Sequence, residues 1–316
     1  MPGPTSGTSK NLSREPSADV AAVIVTYHPD AARVEAILQA LKDDVPRVVI
    51  VDNNSPNLDE PRLRSAHPHV TIERLAANRG IAAAQNAGIE LARRAGAACV
   101  LFLDQDSMPQ HGMVPTLLAA AERLARTGHR VGCIGPRTYF PGAKDLAAFG
   151  RLTWFGVRQQ SCADRNFVVE CDMLVSSGML IPMAVLDTVG GMEDALFIDS
   201  VDTEWCFRAM THGYRIFGAC GATLEHRLGE RALRIWLGRW RRLPRHRPFR
   251  YYYMFRNTFL LVGRRYVPLK WTLLQLERLA ALFLVYGLLT GGSGELRMML
   301  KGLRDGLRGR TGALPQ

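Results

Sequence analysis

Three short apolar runs constrain this chain more than any other feature. Val20–Tyr27 reads VAAVIVTY, Arg47–Asp52 reads RVVIVD and Cys99–Leu103 reads CVLFL. A strand with one wet face alternates polar and apolar residues. A run that is apolar throughout is buried on both faces, as in a parallel sheet covered by helices on either side. The intervening segments supply those helices. Ala31–Leu41 places Val34, Ile37, Leu38 and Leu41 at helical spacing, and Gly80–Ala95 and Val114–Arg126 read as two more. Val70–Arg74 reads as a short edge strand. The alternation predicts an α/β domain with a mostly parallel sheet. No G-x-G-x-x-G turn follows the first strand, and no G-x-x-x-x-G-K-[ST] occurs, which argues against a dinucleotide dehydrogenase and a P-loop enzyme.

Ligands of such sheets bind beyond the carboxyl ends of the strands. The polar residues there are Thr26-Tyr27-His28, Asp52-Asn53-Asn54-Ser55 and Asp104-Gln105-Asp106, and the topology predicts that all three face one crevice. Two acids one residue apart at a strand end suit a divalent cation on a diphosphate, although a solvated acidic turn has the same pattern. Asp52 can accept from a pyrimidine imide N–H, or simply cap a turn. Asn78-Arg79-Gly80 opens a helix carrying Asn86; Gly80 admits close backbone approach and Arg79 can meet phosphate, while a helix cap needs no more than this. Further on, FIDSVDTEWCFR (197–208) gathers Asp199, Asp202 and Glu204. Near a helix start Asp202 is stabilised as an anion and can act as a general base, or cap the helix. Trp205 reads equally as a sugar-stacking face or as core. His226, after the strand-like Ala222–Glu225, can offer an imidazole to the same cation as Asp106.

Charge divides the chain. The total is +11, but residues 1–226 carry 21 Lys and Arg against 25 Asp and Glu, a net of −4, while residues 227–316 carry 19 against 4, a net of +15. A general nucleic-acid coat is therefore disfavoured, and the expectation is no nucleic-acid partner. Residues 1–19, rich in Pro, Ser, Gly and Thr without an apolar core, read as a disordered leader rather than a signal peptide. Trp271–Thr290 is a poor membrane span because Glu277 and Arg278 interrupt it; it reads as a core or interfacial helix. Six cysteines without close pair spacing read as reduced thiols of a cytosolic protein.

Eight segments in order carry a resemblance: VIVTYHPD (23–30), VDNNS (51–55), NRGIAAAQNAGI (78–89), FLDQDS (102–107), SSGMLI (176–181), FIDSVDTEWCFRA (197–209), EHRLGE (225–230) and YYYMFRN (251–257). Together they resemble the family 2 inverting glycosyltransferases, and within them the rhamnosyltransferase branch. The resemblance implies a GT-A-type α/β fold over residues 20–226; the +15 charge and the apolar 271–290 segment mark 227–316 as a basic helical C-terminal region that contacts an anionic membrane surface. The resemblance also implies a donor pocket of Thr26, Tyr27, Asp52, Asn54, Asn78, Arg79, Gly80, Asn86, Asp104 and Gln105. It places Mg²⁺ or Mn²⁺ on Asp106 and His226, and an acceptor side on Ser177, Gly178, Asp199, Glu204 and Trp205. Asp202 would be the catalytic base. Family members often carry Glu-Asp where this chain has Val201-Asp202, which leaves Glu204 a rival for that role. The implied reaction is transfer of L-rhamnose from dTDP-L-rhamnose to a saccharide or lipid-linked saccharide, at the cytoplasmic face of the membrane. A nucleotidyltransferase on a sugar phosphate, and a non-enzymatic basic module binding membrane or nucleic acid, are the alternatives.

Overall fold

The structure is a computed structural model and describes residues 19–141, 146–226, 231–236, 240–289 and 293–314. The expected leader lies almost wholly outside the described residues. Strands β1 (Val20–Thr26), β2 (Arg47–Asp52), β3 (Val70–Arg74) and β4 (Cys99–Asp104) pair in parallel in the order β3-β2-β1-β4. The sheet continues through a short strand, β5 (Ser107–Pro109), at the far edge, and through β6 (Val131–Tyr139), β10 (Leu180–Pro182) and β11 (Arg215–His226), giving β4-β10-β6-β11-β5; β9 (Val168–Cys171) joins along β11. Strand β10 runs antiparallel to both neighbours, so the sheet is mixed beyond β4.

The pattern of the first strand explains its central place. Ala21, Val23 and Val25 belong to the core under helices α3 (Gly80–Arg94), α5 (Met183–Val189) and α6 (Val201–Thr211). Val20, Ala22 and Ile24 belong to the opposite core under α1 (Ala31–Leu41) and α4 (Met113–Arg126). Both faces are dry, so every second side chain is as apolar as its neighbour. Gly88 of α3 lies so close to β1 that a Cβ there would sit 2.2 Å from Val23 Cγ1. The in-register pairing sets Thr26 beside Asp52 and Val25 beside Asp104, which brings three strand ends to one edge of the domain.

Two expectations are corrected here. Cys162 and Cys220 form a disulfide, leaving Cys99, Cys133, Cys171 and Cys206 free among the described residues. The partners are 58 residues apart, so no short spacing motif could have shown them. The C-terminal region is also not wholly helical. It begins with a two-stranded hairpin, β12 (Arg231–Trp236) and β13 (Trp240–Arg245), in which Trp236 pairs with Trp240. The run is too charged to read as a buried strand. Helices α7 (Pro248–Leu261), α8 (Leu269–Leu282, running on as a π-helical segment Phe283–Leu289) and α9 (Ser293–Leu307) follow, as expected. The continuous Leu269–Leu289 helix is long and apolar enough to cross a membrane by length and composition.

Candidate active site

The D-x-D turn at the end of β4 is fixed from behind. Gln105 spends its side-chain amide on the backbone of Tyr27, accepting from its N–H at 2.8 Å and donating to its carbonyl at 3.1 Å. Arg33 of α1 donates to the Asp106 carbonyl and to Glu225, at 3.0 and 3.1 Å. Ser177 Oγ accepts from the Asp104 amide at 3.1 Å and donates to Ser107 Oγ at 2.7 Å, which in turn lies 2.7 Å from His226 Nδ1. A buried relay of two hydroxyls thus orients Asp104 and His226 together. β11 carries His226 to this point by pairing it with Ser107 of β5.

Asp104, Asp106 and His226 bring one ligand atom each within 4.8 Å of one another. Two carboxylates and an imidazole form a donor set that fits a hard divalent cation with room for diphosphate oxygens. Burial pushes the Asp104 carboxyl up to about 6; the charges of Asp106 and Asp202 act in the same direction, against His226 and Arg250. A shared cation would relieve that crowding of carboxylates.

Asp202 sits in the first turn of α6. Its Oδ2 accepts from the Ser176 amide at 3.2 Å and its Oδ1 from the Thr203 amide at 2.7 Å. Burial raises its pKa, opposed by those two amides and reinforced by the charge of Asp199. A carboxylate held in place with a raised pKa is a better proton acceptor than a solvated one.

The segment before it is strained: Phe197, Asp199 and Ser200 have φ of 65°, 66° and 64°. Such residues persist only where the surroundings over-determine them. Two structures do so here. The Phe197 carbonyl accepts from Ile81 at the start of α3, and Gly80 (φ 86°) makes this approach possible, since a Cβ there would sit 2.4 Å from that oxygen. From the other side, Asn257 of α7 donates to the carbonyls of Leu196, Ile198 and Asp199 at 3.0, 2.7 and 2.7 Å, and Arg256 donates to Ala195 and Leu196. Arg250 pairs with the Asp199 carboxylate at 2.8 Å, and Phe197 stacks on Tyr253 at 5.1 Å.

Sequence reasoning missed these α7 residues, although YYYMFRN was noted as a motif, because a polar residue inside a helix carries no sign of what it faces. It gave Asn53 no role beyond the strand-end turn, yet Asn53 donates to the Gly80 carbonyl and accepts from the Arg79 amide, joining the end of β2 to the start of α3.

Several expected site residues turn out to be supports. Glu204 is fully buried, paired with Arg208 at 2.8 Å and accepting from Tyr266 at 2.7 Å. Arg208 in turn donates to the carbonyls of Val189 and Gly191. Glu204 is thus no rival base. Trp205 is fully buried, with its indole N–H on the Gly190 carbonyl, so it is core rather than a sugar platform. Ser177 is buried in the relay, and the Gly178 amide donates to the Phe102 carbonyl. Asn86 spends its amide on Met192 and Asp194, bracing α3 against the 191–194 turn rather than facing the donor.

Asp52 is fully buried. Its Oδ1 accepts from Thr26 and Ser55 and its Oδ2 from the Ser55 amide, with Arg74 at 3.9 Å, so it closes the strand ends instead of presenting an oxygen to a base. Thr26 is buried with it. Tyr27, Asn54 and Arg79 remain exposed and Asn78 half-buried, with Asn78 Oδ1 accepting from the Gly80 amide.

Comparison with known proteins gives the family and the fold. The profile described as Glycosyl transferase family 2 matches residues 22–173. A curated relative, the dTDP-rhamnosyl transferase RfbF of Shigella flexneri, is 30% identical over 254 residues, 80% of this chain and 83% of the relative. The chain belongs to glycosyl transferase family 2. It is a glycosyltransferase, as the ordered motifs implied. Among solved structures, GalNAc-T7 with UDP, GalNAc and Mn²⁺ superposes with a TM-score of 0.57 at 14% identity, over 67% of this chain. This chain spans 44% of that neighbour's length. The superposition bears out the GT-A fold of this family 2 enzyme.

Proposed function

We propose that this enzyme transfers L-rhamnose from dTDP-L-rhamnose, with inversion, to a saccharide or lipid-linked saccharide used in surface-polysaccharide synthesis, at the cytoplasmic face of the membrane. The observation that carries the reading is the likeness to a dTDP-rhamnosyl transferase over four-fifths of the chain. The Asp104–Asp106–His226 cluster, with Asp202 close enough for its charge to act on Asp104, supports it. Tyr27 offers an exposed ring to the nucleobase, and Asn78 and Arg79 stand on the donor side where α3 begins, with Gly80 buried behind them against Phe197.

In the reaction, Asp202 takes the proton of the acceptor hydroxyl. The acceptor oxygen bonds to the anomeric carbon as that carbon's bond to the diphosphate oxygen breaks, and the nucleoside diphosphate leaves with the electron pair. Mg²⁺ or Mn²⁺ on Asp104, Asp106 and His226 would supply charge neutralisation to that leaving group. Arg250 and Asn257 hold Asp199 and its loop, which fixes the approach to Asp202.

A panel of nucleotide sugars, scored by nucleoside diphosphate release in the presence of Mg²⁺ or Mn²⁺, tests the donor. dTDP-L-rhamnose is expected to give the fastest release, and a clear preference for another donor would overturn the assignment. Pyrophosphate formed from a nucleoside triphosphate would instead point to a nucleotidyltransferase. Chelation is expected to stop transfer and either cation to restore it. Asp106→Ala should weaken Mn²⁺ binding in calorimetry, and full turnover in chelator would remove the metal from the scheme.

A further inference from the structure

The β7 (Phe149–Thr153) and β8 (Gly156–Gln160) hairpin has no role in the chemistry above, yet its tip is Trp154-Phe155, with Phe155 wholly exposed and Trp154 61% exposed. Large aromatics at a hairpin tip gain nothing from the core. Lys270 of α8 donates to the Leu152 carbonyl at 3.2 Å, tying this hairpin to the start of that helix.

Along α8 and its π-helical continuation, Leu269, Leu273, Leu284 and Leu288 are each about half exposed or more. Their spacing, completed by Glu277 and Ala281, repeats every three to four residues and defines one stripe. The opposite face is anchored at two aromatics. Trp271 meets Phe207 of the catalytic core edge to face, and Tyr286 packs on Tyr251 of α7. A helix crossing a bilayer would have to abandon those contacts and carry Glu277 and Arg278 through it. A helix lying along a surface keeps them.

Charge identifies what the stripe meets. Residues 227–316 are net +15. At the far end of this helix α9 packs on its buried face, with Leu296 and Met299 beside Gly287, and exposes Arg297 and Arg304. Apolar residues, interfacial aromatics and flanking cations together match an anionic phospholipid surface.

We propose that the α8 stripe and the Trp154–Phe155 tip seat the enzyme on an anionic bilayer, with α8 parallel to its plane. This deepens the reading of a lipid-linked acceptor: α8 sets Trp271 against Phe207 of α6, the helix whose first turn carries Asp202, so the seat and the proposed base are joined by one contact.

The test is co-sedimentation of the full chain with phosphatidylglycerol–phosphatidylcholine vesicles, which needs neither donor nor acceptor and so fails separately from the rhamnose assignment. The wild type is expected to sediment with the anionic vesicles, and less with phosphatidylcholine alone or at high salt. The double variants Leu284→Glu/Leu288→Glu and Trp154→Ser/Phe155→Ser should each lower partitioning at least about tenfold, the loss expected when apolar anchors leave the interface. Both should keep their circular dichroism and their release of nucleoside diphosphate. Equal partitioning of wild type and variants, or no wild-type binding, overturns the proposal. A lipid-free dimer that Leu284→Glu/Leu288→Glu dissolves also overturns it, by giving the stripe to a second copy.

Discussion

Asp202→Asn should lower turnover by about 10²- to 10⁴-fold, the usual contribution of a positioned general base, while leaving donor affinity nearly unchanged. The substitution is close to isosteric. An asparagine oxygen can still accept from the Ser176 or the Thr203 amide, so the first turn of α6 keeps one of its two anchors. What disappears is the lone pair that takes the acceptor's proton. Steady-state release of nucleoside diphosphate, read beside calorimetric binding of the donor, separates the two effects. Substantial turnover in Asp202→Asn would assign the base elsewhere. Asp199, whose charge acts on Asp202, is occupied by Arg250. Glu204 has already been removed from contention by its burial with Arg208 and Tyr266.

The second large effect is expected far from any acid. Asn257→Ala removes the donor to three carbonyls, those of Leu196, Ile198 and Asp199. It also removes the oxygen that accepts from Arg256. Asn257 is fully buried, so no water can stand in without new space. Each orphaned buried group costs about 1–3 kcal/mol. With some relaxation of the left-handed residues offsetting the loss, a net of about 2–4 kcal/mol in unfolding free energy is expected.

The loop that relaxes is the one that presents Asp199 and leads into α6, so kcat should fall while donor binding holds. Asn257→Asp sharpens the test. It keeps the volume and the contact to Arg256 but sets an acceptor against three acceptors, so it should impair turnover at least as much as alanine. If Asn257→Asp turns over like the wild type, the loop does not depend on this side chain.

The parts of the fold that could be read from sequence are those whose signal is local. The runs ending at Thr26, Asp52 and Asp104 announce a buried parallel sheet because both faces of each strand must be apolar. Their polar ends then follow from topology. Asp106, His226 and Asp202 stood out through the order of the motifs that carry them, since acids at strand ends and helix starts are also common as turns and caps; the fold brings Asp106 and His226 together beside Asp104. Ser177 and Glu204 were misassigned for the opposite reason: a hydroxyl or carboxylate beside a motif looks the same whether it faces substrate or a buried partner. Glu204 finds Tyr266 62 residues away and Asn257 finds Leu196 61 residues back. Neither pairing leaves a trace in local spacing. The Cys162–Cys220 bond was hidden in the same way.

The grip of α7 on the 195–199 turn bears on how such enzymes diversify. Partner specificity in an enzyme of two unlike halves invites exchange of one half between relatives. Here the seam of any such graft cannot fall between residues 226 and 248 without separating Asn257, Arg256 and Arg250 from the carbonyls and carboxylate they hold. A chimera that takes its C-terminal region from a relative must take that relative's 194–200 turn as well. The turn and the helix that grips it therefore form one structural unit that is discontinuous in sequence, and recombination at a single crossover would break it.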